Sequence, residues 1–247
     1  FTKIGCNAGA CHGASVGRGG FKLSLYGGNP KGDHETIVHE LAGRRINLAN
    51  PEESLIILKP TAAIKHGGKF LMDDDEEGTQ LLLKWIQQGA GYVSNRRLER
   101  VEISPTRHFA EILNSDIPIR AVAHYSDRTV RDVTRWTVFT AEDLSSVKIN
   151  SDSGTAEVLR RGRHIVAARY LDRVIPIQLI VPLRDSKVDL AAQPRNGFID
   201  DAIIKTLTDL RLPLSPQVDD ASFARRVTLD LTGRLPKAKN ASSRQIT

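Results

Sequence analysis

Hydrophobic and polar residues alternate with a period of two through the middle of the chain. Apolar or aromatic side chains occupy every second position from Ile117 to Tyr125, and the residues between them are Pro118, Arg120, Val122 and His124. Similar short runs follow, at Trp136–Phe139, Val147–Ile149, Ala156–Leu159, His164–Ala168 and Val174–Val181. Short strands separated by polar turns are typical of a β-sandwich. The pattern therefore predicts an all-β sandwich of immunoglobulin type over residues 95–184, without the inter-sheet disulfide because no cysteine lies there.

The N-terminal third of the chain has a helical pattern instead. Ile37, Val38 and Leu41 follow Asp33 at helical spacing, and Leu81–Ile86 forms an apolar segment that ends near Gly89. An aspartate before such a segment is a common helix N-cap, and a glycine after it a common helix end. Residues 1–94 are therefore predicted to form an all-α domain that is rich in glycine.

The C-terminal segment, residues 185–247, is predicted to be a linker followed by a partial α-helical segment. Phe198–Leu210 is amphipathic, and a second helix is expected to open at Asp220. The polar tail Asn240–Thr247 suggests that only the beginning of a larger helical domain is included. The predicted fold class is thus multidomain: all-α, then an all-β sandwich, then a helical fragment.

Composition excludes some classes of function. Hydrophobic residues make up 40% of the chain, and no apolar run approaches the roughly 18 residues that a membrane span needs, so no span is predicted. The net charge is +6, but aromatic residues are only 5% and the basic residues are scattered. Nucleic acid is therefore not an expected partner. No Ser/His/Asp set, carboxylate pair or phosphate loop stands out, so an enzyme is not predicted.

The two cysteines of the chain, Cys6 and Cys11, lie close together, and His12 follows the second directly. A cysteine pair ending in Cys-His is typical of covalent haem attachment, although the usual spacing is C-x-x-C-H and here it is C-x4-C-H. A local disulfide is a second interpretation. A zinc site is a third, although no second Cys/His pair follows at finger-like spacing.

Several blocks of the first 92 residues resemble one known family. They are Cys6–His12, Gly20–Ser24, Gly43–Arg45, Pro51–Leu55, His66–Gly68 and Trp85–Gly89. These blocks look like the cytochrome c-like domain at the N-terminus of large exported planctomycete proteins. Residues in the 125–170 region resemble group-2 bacterial immunoglobulin-like domains, and Arg225–Gly233 resembles the start of the uncharacterised domain that follows in the same proteins.

The resemblance implies a c-type cytochrome that is exported to the periplasm or cell envelope. Haem c would be held by Cys6 and Cys11, with His12 as the proximal iron ligand, and the function would be one-electron transfer. The redox partner is unknown, and another domain of the same polypeptide is one candidate. The competing hypothesis is a haem-free, disulfide-closed envelope module for binding or adhesion, with the immunoglobulin-like domain as a spacer.

The second axial ligand has two main candidates, His66 and Met72, with His34 and His39 as outsiders. Met72 is the only methionine and precedes the last N-terminal helix, where many small cytochromes c place an axial methionine. The acidic run from Asp73 to Glu77 follows it at once and suits a wet surface better than a haem pocket. His66 is followed by two glycines, which let backbone approach a porphyrin closely. Ligation by His12 and His66 is therefore the prediction, with Met72 as the alternative.

Overall fold

The structure is a computed structural model that describes residues 1–68, 71–73 and 76–236. Its first 94 residues contain three short α-helices, α1 (Pro30–Val38), α2 (Leu55–Leu58) and α3 (Glu77–Gln87). Short 3-10 turns at Leu25–Gly27 and Pro51–Glu53 and irregular turns connect them. The acidic run after Met72 is described only in part, because Asp74 and Asp75 lie outside the described residues.

Helix α1 begins at a proline and is capped by the residue before it. The Asn29 side chain accepts a hydrogen bond from the Gly32 amide, and Pro30 occupies the first position, where its missing N–H costs nothing. The predicted cap, Asp33, lies inside the helix. Its carboxylate accepts hydrogen bonds from the backbone amide and the hydroxyl of Ser24, at 2.5 and 2.6 Å, and so fixes the preceding loop to the helix.

The described part of the chain up to the last strand has two hydrophobic clusters, one among the N-terminal helices and one among the strands that follow them. The smaller one joins the three helices to the loop that precedes α1, and its buried members are Leu23, Ile37, Ile56, Ile57 and Ile86. The larger one is built by the strands and contains fully buried residues such as Val166, Ile177 and Leu179. Both clusters bury the apolar surface that makes folding favourable.

Ten strands follow the helices. Their bounds are β1 (Leu98–Ser104), β2 (Arg107–Phe109), β3 (Asp116–Pro118), β4 (Arg120–Tyr125), β5 (Val130–Asp132), β6 (Val138–Ala141), β7 (Val147–Asn150), β8 (Thr155–Val158), β9 (Gly162–Tyr170) and β10 (Arg173–Val181). They form three sheets with the strand orders β1-β4-β5, β2-β10-β9-β6 and β3-β8-β7. All neighbours are antiparallel except β2 and β10, which run parallel.

The predicted fold class, an all-α domain followed by an immunoglobulin-type sandwich, is wrong. The strands form three sheets rather than the two of a sandwich, and one of them contains a parallel pair. The helices of the first 94 residues are only 9, 4 and 11 residues long and are separated by long turns. Strands β1 and β2 were also missed, because their alternation is weak.

The alternating run at residues 117–125 shows why the sandwich prediction failed. Ile117, Ile119 and Ala121 are all buried, as the alternation predicts. The run nevertheless contributes to two sheets, since β3 pairs with β8 and β4 pairs with β1. Alternation of side chains reports which face is buried but not which strand lies alongside. The change of partner between Pro118 and Arg120 is therefore invisible in the pattern.

The described residues group into two compact units. The first is Phe1–Pro182, and the second begins at Leu183 and contains α4 (Phe198–Leu210) and α5 (Asp220–Thr232). The predicted domains 1–94, 95–184 and 185–247 stay a prediction, and the tail Asn240–Thr247 lies outside the described residues. Nowhere in the described ranges does a helix combine the length and apolar character that crossing a membrane requires.

Candidate functional site

The cysteine-histidine segment folds into a compact loop held by its own backbone. The His12 amide donates to the Cys6 carbonyl at 2.9 Å, and the Cys11 amide donates to the Ala8 carbonyl at 2.9 Å. The loop is fixed to the next segment by the Leu23 amide, which donates to the His12 carbonyl at 2.8 Å. Local turns thus absorb the two extra residues between the cysteines.

Gly13 is required by this loop because it has no side chain. A Cβ at this position would lie 2.0 Å from the Asn7 carbonyl oxygen, far inside van der Waals contact. By contrast, a Cβ on Gly9, within the loop, would meet only a Leu25 methyl group at 3.9 Å. The close packing of Gly13 against Asn7 therefore determines the path that the chain takes past His12.

The imidazole of His12 is oriented by a backbone carbonyl. Its Nδ1 lies 3.0 Å from the Phe21 carbonyl oxygen, which can only accept, so Nδ1 carries the proton and Nε2 is left with its lone pair. Partial burial lowers the pKa of His12, and the hydrogen bond to Phe21 opposes that shift. A neutral imidazole whose second nitrogen is fixed by a carbonyl is the usual state of a metal-ligating histidine.

His66 lies opposite His12, although 54 positions separate them in the sequence. The two rings are nearly parallel, with an angle of 10° between their planes and 6.2 Å between their centroids. Nδ1 of His66 is buried and has no hydrogen-bond partner among the described residues. Gly68 packs against this ring, since a Cβ on it would lie 2.7 Å from Cε1 of His66.

A cavity of about 320 Å³ lies beside these two histidines. Its walls come from the cysteine loop, α2 and the His66 turn, and they are mainly apolar, with four cationic side chains among them. The lining residues include Phe1, Cys6, Cys11, His12, Phe21, Leu41, Leu55, Ile56, Pro60, His66 and Leu71, and the four cations are Arg18, Arg44, Arg45 and Lys59. Both cysteines, both histidines and an apolar wall thus meet in one place.

The cationic side chains of the cavity differ in their exposure to solvent and in how firmly neighbouring groups hold them. Arg45 is only 7% exposed, and it is held by the carbonyls of Thr36 and Gly20, at 2.6 and 2.9 Å, and by Glu40 at 2.9 Å. Its guanidinium also lies 4.5 Å from the centre of the Phe21 ring. Arg45 therefore supports the wall. Arg44, in contrast, is exposed to solvent at the cavity edge.

The two cysteines are free thiols in this structure. Cys6 is buried and Cys11 is half-buried, and burial raises the pKa of the Cys6 thiol. A thiol that stays protonated is neither a ready metal ligand nor a reactive nucleophile. The site therefore offers two cysteine sulfur atoms at a cavity wall, and burial disfavours the thiolate form of Cys6.

The zinc interpretation of the motif has no geometric support. Within the described ranges, the one group of three or more candidate ligands that converges is His34, Glu35 and His39, and it contains neither cysteine. Zinc bound by Cys6, Cys11 and His12 would need all three ligand atoms about 2.0–2.3 Å from one ion. These residues instead stand around a cavity, which suits a larger group.

Met72 lies apart from this site. It is only 4% exposed, so the expectation that the neighbouring acids keep it at a wet surface is wrong. It is nevertheless not among the residues that line the cavity. His34 and His39 lie at α1 and likewise do not line it. Of the four candidates for the second axial position, the structure brings only His66 next to His12.

Sequence reasoning missed the parts of the site that act through backbone or through distant packing. The Phe21 carbonyl that orients His12 has no signature in side-chain identity. Arg44 and Lys59 were visible as charges, but nothing in their spacing placed them at a cavity. The glycine pair after His66 was the one available signal for close packing at that ring.

Comparison with known proteins adds no relative: no family model matches the chain, and no curated protein matches it.

Proposed function

We propose that this protein binds one haem covalently through Cys6 and Cys11 and functions in one-electron transfer. The observation that carries the proposal is the arrangement of His12 and His66, whose parallel rings stand 6.2 Å apart beside a cavity lined by both cysteines. The proposal rests on this geometry and on the Cys-x4-Cys-His motif.

The separation of the two rings suits one metal ion between two imidazoles. Metal–nitrogen bonds to imidazole are about 2 Å long, and two such bonds plus the distance from each nitrogen to its ring centre give about 6 Å between centroids. His12 presents Nε2, because Nδ1 is bonded to Phe21. The unpartnered, buried Nδ1 of His66 is a polar atom that a bound group would explain.

The residues around the two histidines fit the porphyrin ring and the propionates of the proposed haem. The cysteine thiols would form the thioether bonds to the porphyrin edge, and the wall of Leu55, Ile56 and Leu71 would cover its apolar face. Arg44, Arg18 and Lys59 offer positive charge to the propionate carboxylates of a haem. Arg45 keeps Phe21 in place and is already satisfied by its own partners.

A haem held by two histidines supplies reversible exchange between ferrous and ferric iron. With His12 and His66 as ligands, no open position would be left for oxygen or substrate, which favours electron transfer over oxygen chemistry. Two histidines also favour a lower reduction potential than a histidine-methionine pair. We expect an exported protein that matures in an oxidising compartment with haem-attachment machinery.

The intact mass of the purified protein tests the proposal. Protein matured in the periplasm of a host with haem-attachment machinery should exceed the chain mass by one haem, and acid-acetone should not extract the colour. The double variant Cys6→Ser/Cys11→Ser should lose the attachment, whereas the same host should load a Ser15→Ala control normally, because Ser15 is exposed and does not line the cavity. A mass two hydrogens below that of the reduced chain, with no haem, would establish a disulfide and end the proposal.

A further inference from the structure

A second cluster of ligand-type side chains lies outside the cavity. His34, Glu35 and His39 each present one ligand atom, and these atoms lie within 4.8 Å of one another. The cluster forms in the last turn of α1, where the His39 amide caps the helix by donating to the Glu35 carbonyl at 3.0 Å. We propose that this cluster binds a first-row divalent transition-metal ion such as Zn²⁺ or Cu²⁺.

The ring of His34 is already oriented as in a metal site. Its Nε2 lies 2.8 Å from the Ala90 carbonyl oxygen, so Nε2 carries the proton and Nδ1 keeps its lone pair. Metal-ligating histidines usually donate their other ring N–H to a carbonyl or carboxylate in this way, which fixes the tautomer and the ring. The Ala90 residue is itself held in place, because its amide donates a hydrogen bond to the backbone carbonyl of Trp85, near the end of α3.

Aromatic rings fix the His34 ring further. Tyr92 lies 5.3 Å from it, Trp85 lies 6.1 Å from it, and the ring of His39 stands edge-on at 5.6 Å. The Trp85 indole N–H donates to the Gly91 carbonyl at 2.9 Å, which keeps the indole in place. One ligand of the cluster is therefore held rigidly before any ion arrives, which reduces the entropy that binding must overcome.

The other two ligands are free to close on an ion. Two ligand atoms that each lie about 2.0–2.2 Å from one ion stand at most about 4.4 Å apart. The ligand atoms of this cluster lie within 4.8 Å of one another, so they need to move only slightly closer. Glu35 and His39 are exposed, so small rotations of their side chains close the gap. Two imidazoles and a carboxylate are ligands that suit Zn²⁺, Cu²⁺ and similar ions, rather than Ca²⁺ or Mg²⁺.

Three protein ligands leave at least one coordination position for water or for a ligand from outside. The inference does not depend on the proposed haem, because none of the three residues lines that cavity. It also does not depend on the cysteines, which lie outside the cluster.

Calorimetric titration of the purified full chain with Zn²⁺ at neutral pH tests the inference, with Cu²⁺ as a second probe. One ion should bind per chain. His39→Ala and Glu35→Gln change exposed side chains that the hydrophobic cluster does not need, so both variants should fold. His39→Ala should lower the affinity at least about tenfold, and Glu35→Gln should lower it less.

Two controls distinguish metal binding at this cluster from metal binding by other side chains of the protein. His108→Ala removes a histidine of β2 and should leave the affinity unchanged. With Co²⁺ as the probe, the spectrum should show ligand-field bands without thiolate charge transfer. If neither Zn²⁺ nor Cu²⁺ binds, or if binding survives His39→Ala and Glu35→Gln unchanged, the proposed metal site does not exist.

Discussion

The ammonium group of Lys3 donates a hydrogen bond to the carbonyl oxygen of Ser151 at 2.6 Å, across 148 positions of sequence. The same group donates to the Thr137 carbonyl at 3.0 Å. Burial lowers the pKa of Lys3, and the nearby carboxylate of Asp152 opposes that shift. The segment that carries Cys6 is therefore fixed to the turns of the strand region by a partly buried cation.

Replacing Lys3 should weaken that attachment. Lys3→Met keeps the length of the side chain but leaves the carbonyls of Ser151 and Thr137 without their charged donor, so we expect the free energy of unfolding to fall by about 1–3 kcal/mol. Urea unfolding would measure it. Lys22→Met, at an exposed position, is the matched control and should change stability by less than about 0.5 kcal/mol. Equal effects of the two variants would show that the contacts of Lys3 contribute nothing.

The two glycines after His66 should differ sharply when each is changed to alanine. A Cβ on Gly68 would lie 2.7 Å from Cε1 of His66, whereas a Cβ on Gly67 would meet nothing within 4 Å. Gly68→Ala should therefore displace the His66 ring, and visible spectra of the haem-loaded protein should shift from low-spin towards high-spin iron. Gly67→Ala should keep the wild-type spectrum. A wild-type spectrum for Gly68→Ala would show that His66 is not a ligand.

Met72 should matter for stability and not for the iron. Because its side chain is buried but lies outside the cavity, Met72→Leu should preserve the haem spectrum and change stability by less than about 1.5 kcal/mol. Met72→Ala should cost about 2–5 kcal/mol through the space it leaves. His66→Ala should convert the spectrum, and the oxidised wild type should lack the weak red band of methionine-ligated ferric haem. A changed spectrum in Met72→Leu alone would assign the ligand to Met72.

Three turn carboxylates should make the strand region sensitive to acid. Hydrogen bonds from neighbouring hydroxyls and amides hold the pKa values of Asp127, Asp132 and Asp143 at about 2, below their ordinary 3.8. A carboxyl group whose pKa is lowered by folding contributes stability that is present above its unfolded pKa and is lost as the pH falls through its folded pKa. Stability should therefore decline between pH 3.8 and about 2.

Asp132→Asn isolates one of these carboxylates, which accepts hydrogen bonds from Thr134 and Arg120. The variant should be less stable than the wild type at neutral pH, and the difference should shrink as the pH falls through the same range. Denaturant unfolding at several pH values measures both, with Glu99→Gln, at an exposed position of β1, as the control. A difference that stays constant with pH would contradict the assignment.

Local features of the sequence predicted single elements better than their arrangement. The run Val174–Val181 was expected to be a strand and lies within β10, and the buried face of residues 117–123 follows their alternation. Trp136 was expected in a strand but lies in a 3-10 turn, Thr134–Trp136. The division into three sheets was not predictable, because it depends on pairings between residues far apart in the chain, and no local pattern encodes them.

The same distinction applies to the candidate site. Cys6, Cys11 and His12 are adjacent in sequence, so their motif was visible at once. The approach of His66 to His12 bridges 54 positions and had only a pair of glycines as its signal. The convergence of His34 and His39 was not foreseen. Residues five positions apart do not share a face of a regular helix, and these two histidines come together only because α1 ends between them.

The parallel pairing of β2 with β10 has a consequence for the order in which the strands assemble. β9 and β10 form a hairpin closed by Leu171 and Asp172, so they can pair early at little entropic cost. The three residues of β2 lie about 70 positions before their partner, and they add to β10 with Gln178 opposite Arg107. We therefore expect this edge to form after the hairpin and to open before it. Amide hydrogens shared by β2 and β10 should accordingly exchange with deuterium well before those between β9 and β10.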